Sequence, residues 1–330
     1  LYFEDVVSFP FVPGHEVVGE LDDGTRVILE PVLGHEARGF APPFPGAAPG
    51  DGDDYAHLTT GPLEPGIQTG FCCSTGGGWA PEFVAHDSQL HRIGDMPDER
   101  AVLVEPFAGG IHAALLAAPV VAARQDTSRP AVVAVLGAGT MGLAAIAGLR
   151  RYVPDVTIIV GARYPHQQML AKAYGADVVV GPDGLQRAVR RVTGCHLIGD
   201  HLSSGAHVTI DAVGTSATVT DSLRITRPRG RVVLLGMPAD VTLDLTGLWH
   251  RETELKGAYT YGTEHLADGR TVRTFDLAIE TANAVEAERL LSATYPLSDH
   301  VAAIAHAATA GRRGAVKIAF DMRQGVPHRA

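Results

Sequence analysis

Between residues 131 and 262, short apolar runs alternate with longer segments of mixed polarity, the pattern of a parallel sheet covered by helices on both faces. The runs predict strands at Ala131 to Leu136, Val156 to Val160, Asp177 to Val180, His207 to Ala212, Arg231 to Leu235 and Glu254 to Ala258. Helices are predicted between them, notably Thr140 to Tyr152 and Pro165 to Tyr174, with Gly175 as the stop. The chain before this region has another texture. Short apolar runs such as Val17-Val18 and Arg26 to Leu29, separated by the turn Asp22-Asp23-Gly24, predict irregular β structure over residues 1–108. Phe40 to Gly66 is crowded with Pro, Gly and Asp and reads as an exposed lobe. Ala101 to Ala118 is helical in pattern, with Pro106 and Gly109-Gly110 expected to break or bend it near its start. Residues 263–330 predict a helix from Phe275 to Leu291, another from Val301 to Thr309 and a closing strand from Ala315 to Phe320, folding back onto the first domain. The expected divisions are therefore 1–108, 109–262 and 263–330.

Composition narrows the partners. A chain of 330 residues with 45% hydrophobic content can bury a large core and exceeds one typical domain. Its formal net charge of -10 opposes nucleic-acid phosphates and anionic lipid surfaces, which leaves a small molecule as the expected partner. Three cysteines, Cys72, Cys73 and Cys195, do not make a disulfide framework and fit a reducing cytoplasm. No run of about 18 apolar residues is read as a membrane span. The start, Leu1-Tyr2-Phe3-Glu4-Asp5, lacks the basic and apolar stretches of a signal peptide and reads as cut inside a domain.

The strongest chemical signal is Gly137-Ala138-Gly139-Thr140-Met141-Gly142, placed directly after a buried strand and opening an Ala-rich helix. The first glycine permits a tight turn, the second lets a pyrophosphate approach bare backbone, and the third lets helix and strand pack closely. The free N–H groups of the helix start favour phosphate. Gly137, Gly139, Thr140, Met141 and Gly142 are thus predicted to bind a dinucleotide. At the end of the second strand, where an acid would hold an NAD ribose, the chain has Gly161-Ala162-Arg163. A small residue removes the repelling carboxylate, and the planar fork of Arg163 can pair with a 2′-phosphate, which favours NADP over NAD. Val213 and Gly236, after the fourth and fifth predicted strands, complete the expected cofactor contacts.

Taken in order, Gly14-His15-Glu16-Val17-Val18-Gly19, Gly76-Gly77-Gly78-Trp79-Ala80, Val104-Glu105-Pro106-Phe107 and the glycine turn resemble the zinc-dependent medium-chain alcohol dehydrogenases, particularly the sorbitol- and threonine-dehydrogenase-like members. The resemblance covers essentially the whole chain. It implies a GroES-like catalytic domain built from both ends of the chain with a Rossmann domain inserted between them. It implies a catalytic zinc held by His15 and Glu105, with Glu16 either a ligand exchanging with Glu105 or a supporting group. These are donor types zinc accepts, with one position left open in catalytic sites. The implied reaction is hydride transfer between a primary or secondary alcohol or polyol and NAD(P), zinc polarising the substrate oxygen. Dimers or tetramers are usual in the family.

Some features depart from the family pattern. The family's cysteine ligand and relay hydroxyl precede the Gly-His-Glu motif by more residues than this chain has before His15. No cysteine lies between Phe40 and Phe71, so no structural zinc is expected. The hairpin after Gly19 is short. A second Gly-His-Glu at Gly34-His35-Glu36 leads into a loop and is set below His15 as a ligand. Cys72-Cys73 are adjacent and read as structural. A zinc-free quinone or enoyl reductase of the same superfamily and a cofactor-binding pseudoenzyme are the alternative readings.

Overall fold

The computed structural model describes residues 4–238 and 240–323. The chain divides into two compact units, one made of Leu1–Glu105 with Thr260–Ala330, the other of Pro106–Tyr259.

In the second unit six strands form one parallel sheet in the order Glu254–Gly257, Thr226–Leu234, Ala206–Asp211, Ala131–Leu136, Val156–Gly161, Val178–Val180. Ala131–Leu136 is buried at every position, which is why its apolar run does not alternate. From this central strand the chain builds outward to Val178–Val180, then returns to add Ala206–Asp211 on the opposite side. Strand order reverses there, and a reversal leaves a crevice at the carboxyl ends of the two strands. This is an α/β fold of the Rossmann type.

Pro106 and Gly109-Gly110 do not break their helix, which runs from Val104 to Leu115. Pro106 lies in the first turn, where no intrahelical N–H bond is forfeited. A Cβ on Gly110 would stand 2.5 Å from the Ala144 side chain and 2.7 Å from its backbone, so the glycine admits the helix Thr140–Tyr152 at close range. Asp98–Ala122 is long and apolar enough by composition to cross a membrane, yet 67% of its most apolar window is buried in the protein. Leu103, Val104, Phe107 and Ile111 are fully covered, so the stretch serves as core.

The first unit carries a three-stranded antiparallel sheet of Val18–Glu20, Arg26–Leu29 and Leu90–Arg92. The lobe is less exposed than its composition suggests, since Ala47, Ala48, His57 and Leu58 are buried, as is Arg38 just before it. The predicted helix Phe275 to Leu291 stops early, at Thr274–Ala284, because Glu286 takes a left-handed conformation at φ 52°. Leu291–Tyr295 is instead a strand paired in parallel with Lys317–Phe320.

Candidate active site

His15, Glu16 and Glu105 come together, with one potential ligand atom from each lying within 4.8 Å of the others. Local backbone explains the placement. Gly14 sits at φ 99°, and its carbonyl accepts from the Gly78 N–H at 2.8 Å. A Cβ on Gly77 would stand 2.0 Å from the Val12 carbonyl, so the Gly76–Gly78 run exists where the segment carrying His15 passes against it. Glu105 projects from the first turn of its helix.

The electrostatics favour a cation. Burial, reinforced by the Lys317 ammonium, lowers the His15 pKa to about 4, so the ring is neutral and carries a free lone pair near pH 7. Burial pushes Glu105 up to about 7, against the hydrogen bond that the Tyr261 hydroxyl donates to Oε1 at 2.9 Å. Glu16 pairs through Oε2 with Lys317 Nζ, whose own pKa burial lowers to about 8. Among the described residues, one carboxylate therefore has a counter-ion, while the other has only a neutral hydroxyl. An imidazole nitrogen with carboxylate oxygens is a donor set that suits Zn²⁺, and the uncompensated Glu105 supplies the charge such an ion would neutralise.

Lys317 and Tyr261 were not foreseen in the sequence. A lysine inside the apolar run Ala315 to Phe320 was a usable signal, because a cation at a covered strand position needs an anion. Tyr261 had none. The rival His35 stacks on His57 with ring centroids 3.9 Å apart. Among the described residues it belongs to no cluster of three metal-binding side chains. Cys72 is fully buried and Cys73 exposed.

In the second unit, the carboxyl ends of Ala131–Leu136 and Ala206–Asp211 open on a cavity of about 660 Å³, the size range of small-molecule sites. Gly137, Gly139, Gly161, Arg163 and Val213 line it. Gly137 takes φ 90°, and a Cβ on Gly142 would stand 2.1 Å from its carbonyl, which is the close strand-to-helix approach the third glycine permits. Open space lies over Gly139. Thr140, Met141, Gly142 and Gly236 do not line the cavity. Thr140 starts the helix, Met141 lies by Gly109, and Gly236 backs the Val213–Gly214 turn. The sequence reading missed Asp183, Asp200, Asp221 and Arg224 in the lining. Arg224 is already committed, bonding Asp200 at 2.6 Å and Asp221 at 3.5 Å. Arg163 is exposed and makes no ion pair among the described residues.

Comparison with known proteins agrees with this architecture. The family described as "Zinc-binding dehydrogenase" matches residues 140–293. A Rhizobium meliloti (strain 1021) protein provisionally named a D-xylulose reductase is 27% identical, the match covering 96% of this chain and 84% of its own. Sorbitol dehydrogenase of Homo sapiens is 26% identical over 78% of this chain and 67% of its own. The solved apo form of zinc-dependent alcohol dehydrogenase 2 from Streptococcus pneumonia superposes with a TM-score of 0.66 at 20% identity, covering 94% of this chain and 83% of that one. Residues 140–293 thus match the zinc-binding dehydrogenase family, and the strand order and the glycine turn are those of a Rossmann-type fold shared with these solved structures.

Proposed function

We propose that the protein is an NADP-linked oxidoreductase of small alcohols or polyols and their carbonyl partners, with one zinc ion held by His15, Glu105 and Glu16. The observation that carries this reading is the convergence of those three side chains within 4.8 Å. When bound, zinc supplies a Lewis acid for the substrate oxygen and the nicotinamide takes or gives the hydride. The chain's own residues prepare the site. His15 presents a neutral ring nitrogen. Lys317 balances Glu16, which limits the negative charge surrounding the ion. Desolvation leaves the Glu105 carboxyl partly protonated near neutral pH, and a bound cation would displace that proton. The polyol relatives support the substrate class. We further assign the protein to the cytoplasm as a homodimer or homotetramer.

Metal analysis joined to a turnover assay over a panel of polyols and alcohols tests the reading. Stoichiometric zinc with chelator-sensitive oxidation supports it, whereas chelator-resistant reduction of an alkene or quinone overturns it. Cofactor preference rests on Arg163, the uncommitted cation of the dinucleotide cavity. Arg163→Ala should weaken NADPH binding by about 10- to 100-fold, the worth of a charge-assisted hydrogen bond, and leave NADH nearly unchanged. Equal effects on both cofactors would contradict the NADP assignment.

A further inference from the structure

Among the described residues, Glu105 has one hydrogen-bonding side chain on its carboxylate, the Tyr261 hydroxyl. That phenol is held from several directions. Tyr261 is 3% exposed, and its ring meets Phe275 edge-on at 4.9 Å. Phe275 stacks on His91 at 4.8 Å, and His91 is anchored to the buried Glu30 by a 2.6 Å bond. The backbone is clamped as well. A Cβ on Gly50 would lie 2.0 Å from the Tyr261 carbonyl, and one on Gly262 would lie 2.3 Å from Asp51 Oδ1. Asp51 accepts from the Thr263 N–H at 2.8 Å and from its hydroxyl at 2.5 Å. Immediately before the tyrosine, Thr260 takes φ 60°, a left-handed conformation that a β-branched residue adopts only at a cost. Such strain persists where the surroundings over-determine a position, and here the over-determined group is the phenol.

From this we infer that Tyr261 is the positioning residue of the metal centre, its hydroxyl holding Glu105 in the orientation that brings the carboxylate to His15 and Glu16. The inference rests on those three residues binding metal. A carboxylate that accepts an O–H on one oxygen gives up one of its lone-pair directions and its freedom to rotate, so it would meet an ion in one fixed orientation. Because Phe275 packs the ring and the Gly50 contact fixes the backbone that carries it, the hydroxyl imposes that orientation without a metal.

The test uses the full chain and measures zinc affinity by competition with a chromophoric chelator, together with the visible spectrum of the Co²⁺-substituted protein. Tyr261→Phe keeps the ring and removes only the hydroxyl. It should bind zinc about 10- to 100-fold more weakly, as loss of a ligand's hydrogen-bonding support does, and shift the Co²⁺ bands. Phe275→Leu loosens the ring's packing with the hydroxyl retained and should cost less affinity than Tyr261→Phe. Zinc affinity within twofold of wild type and an unaltered Co²⁺ spectrum in Tyr261→Phe would overturn the inference, as would equal losses in the two variants. His15→Ala separates the two levels. If it too leaves zinc affinity unchanged, the metal reading itself has failed.

Discussion

At the scale of single residues, the most consequential buried charge outside the candidate metal centre is Arg38. It is fully covered, and its guanidinium donates to the backbone carbonyls of His57, Thr60, Leu63, Glu64 and Gly66. A Pro- and Gly-rich loop cannot satisfy its own carbonyls by helix or sheet, and one planar cation with five N–H groups answers several of them at once. The lobe is thereby gathered around a side chain. Arg38→Leu strips those donors while leaving bulk, so we expect a loss of about 3 kcal/mol or more, seen as a lower denaturant midpoint with faster proteolysis between residues 57 and 66. An unchanged midpoint would mean that water satisfies the carbonyls equally well. Arg38 was legible as a charge in the sequence, but its partners lie 19 to 28 residues further on, where no periodicity points back to it.

At the scale of elements, the central sheet shows how a side chain can complete a ladder. His207 Nδ1 accepts the Val132 N–H at 3.0 Å, just before the strands Ala131–Leu136 and Ala206–Asp211 enter register at Val133 and Val208. Burial, with the nearby Arg227 and Arg124 guanidinium groups, lowers its pKa to about 4. The folded state therefore binds fewer protons than the unfolded chain between about pH 4 and the usual histidine value near 6.5. Stability from this group is present above 6.5 and is lost as pH falls toward 4. The wild-type melting temperature should decline over that window, and His207→Gln, which keeps an acceptor but cannot titrate, should flatten the decline. Parallel pH profiles would sink the assignment. Element prediction itself succeeded where burial was total and the stop was chemical. Ala131–Leu136 and Thr140–Tyr152 have the predicted bounds because a wholly apolar strand runs straight into glycines. It failed at Phe275 to Leu291, where an apolar stretch suits helix and strand equally and the left-handed turn at Glu286 is invisible without its neighbours.

At the scale of the whole molecule, the first unit is discontinuous, and its candidate metal centre draws on both pieces. His15, Glu16 and Glu105 come from one, while Tyr261 and Lys317 come from the other. Metal binding should then stabilise two distant stretches of sequence together. Zinc added to the metal-free chain at about 100 times its Kd should contribute roughly 2.7 kcal/mol. Hydrogen exchange should slow near residues 14–16 and 261 alike. NADPH should protect residues 137–142 instead. A melting temperature indifferent to zinc would count against the metal centre.

What the amino-acid sequence determined by itself was local. A buried parallel strand, a glycine turn and a helix start are specified by adjacent residues, and the ordered motifs carried His15, Glu16 and Glu105 as candidates. Tertiary structure alone decided which charges those candidates meet. It set Lys317 against Glu16 and Tyr261 against Glu105, 301 and 156 residues away, and left His35 stacked on His57 without a third donor among the described residues. The physical reason is that a half-buried carboxylate must be satisfied by whatever the fold brings within 3 Å or so, and that requirement acts through space, with no trace in sequence spacing.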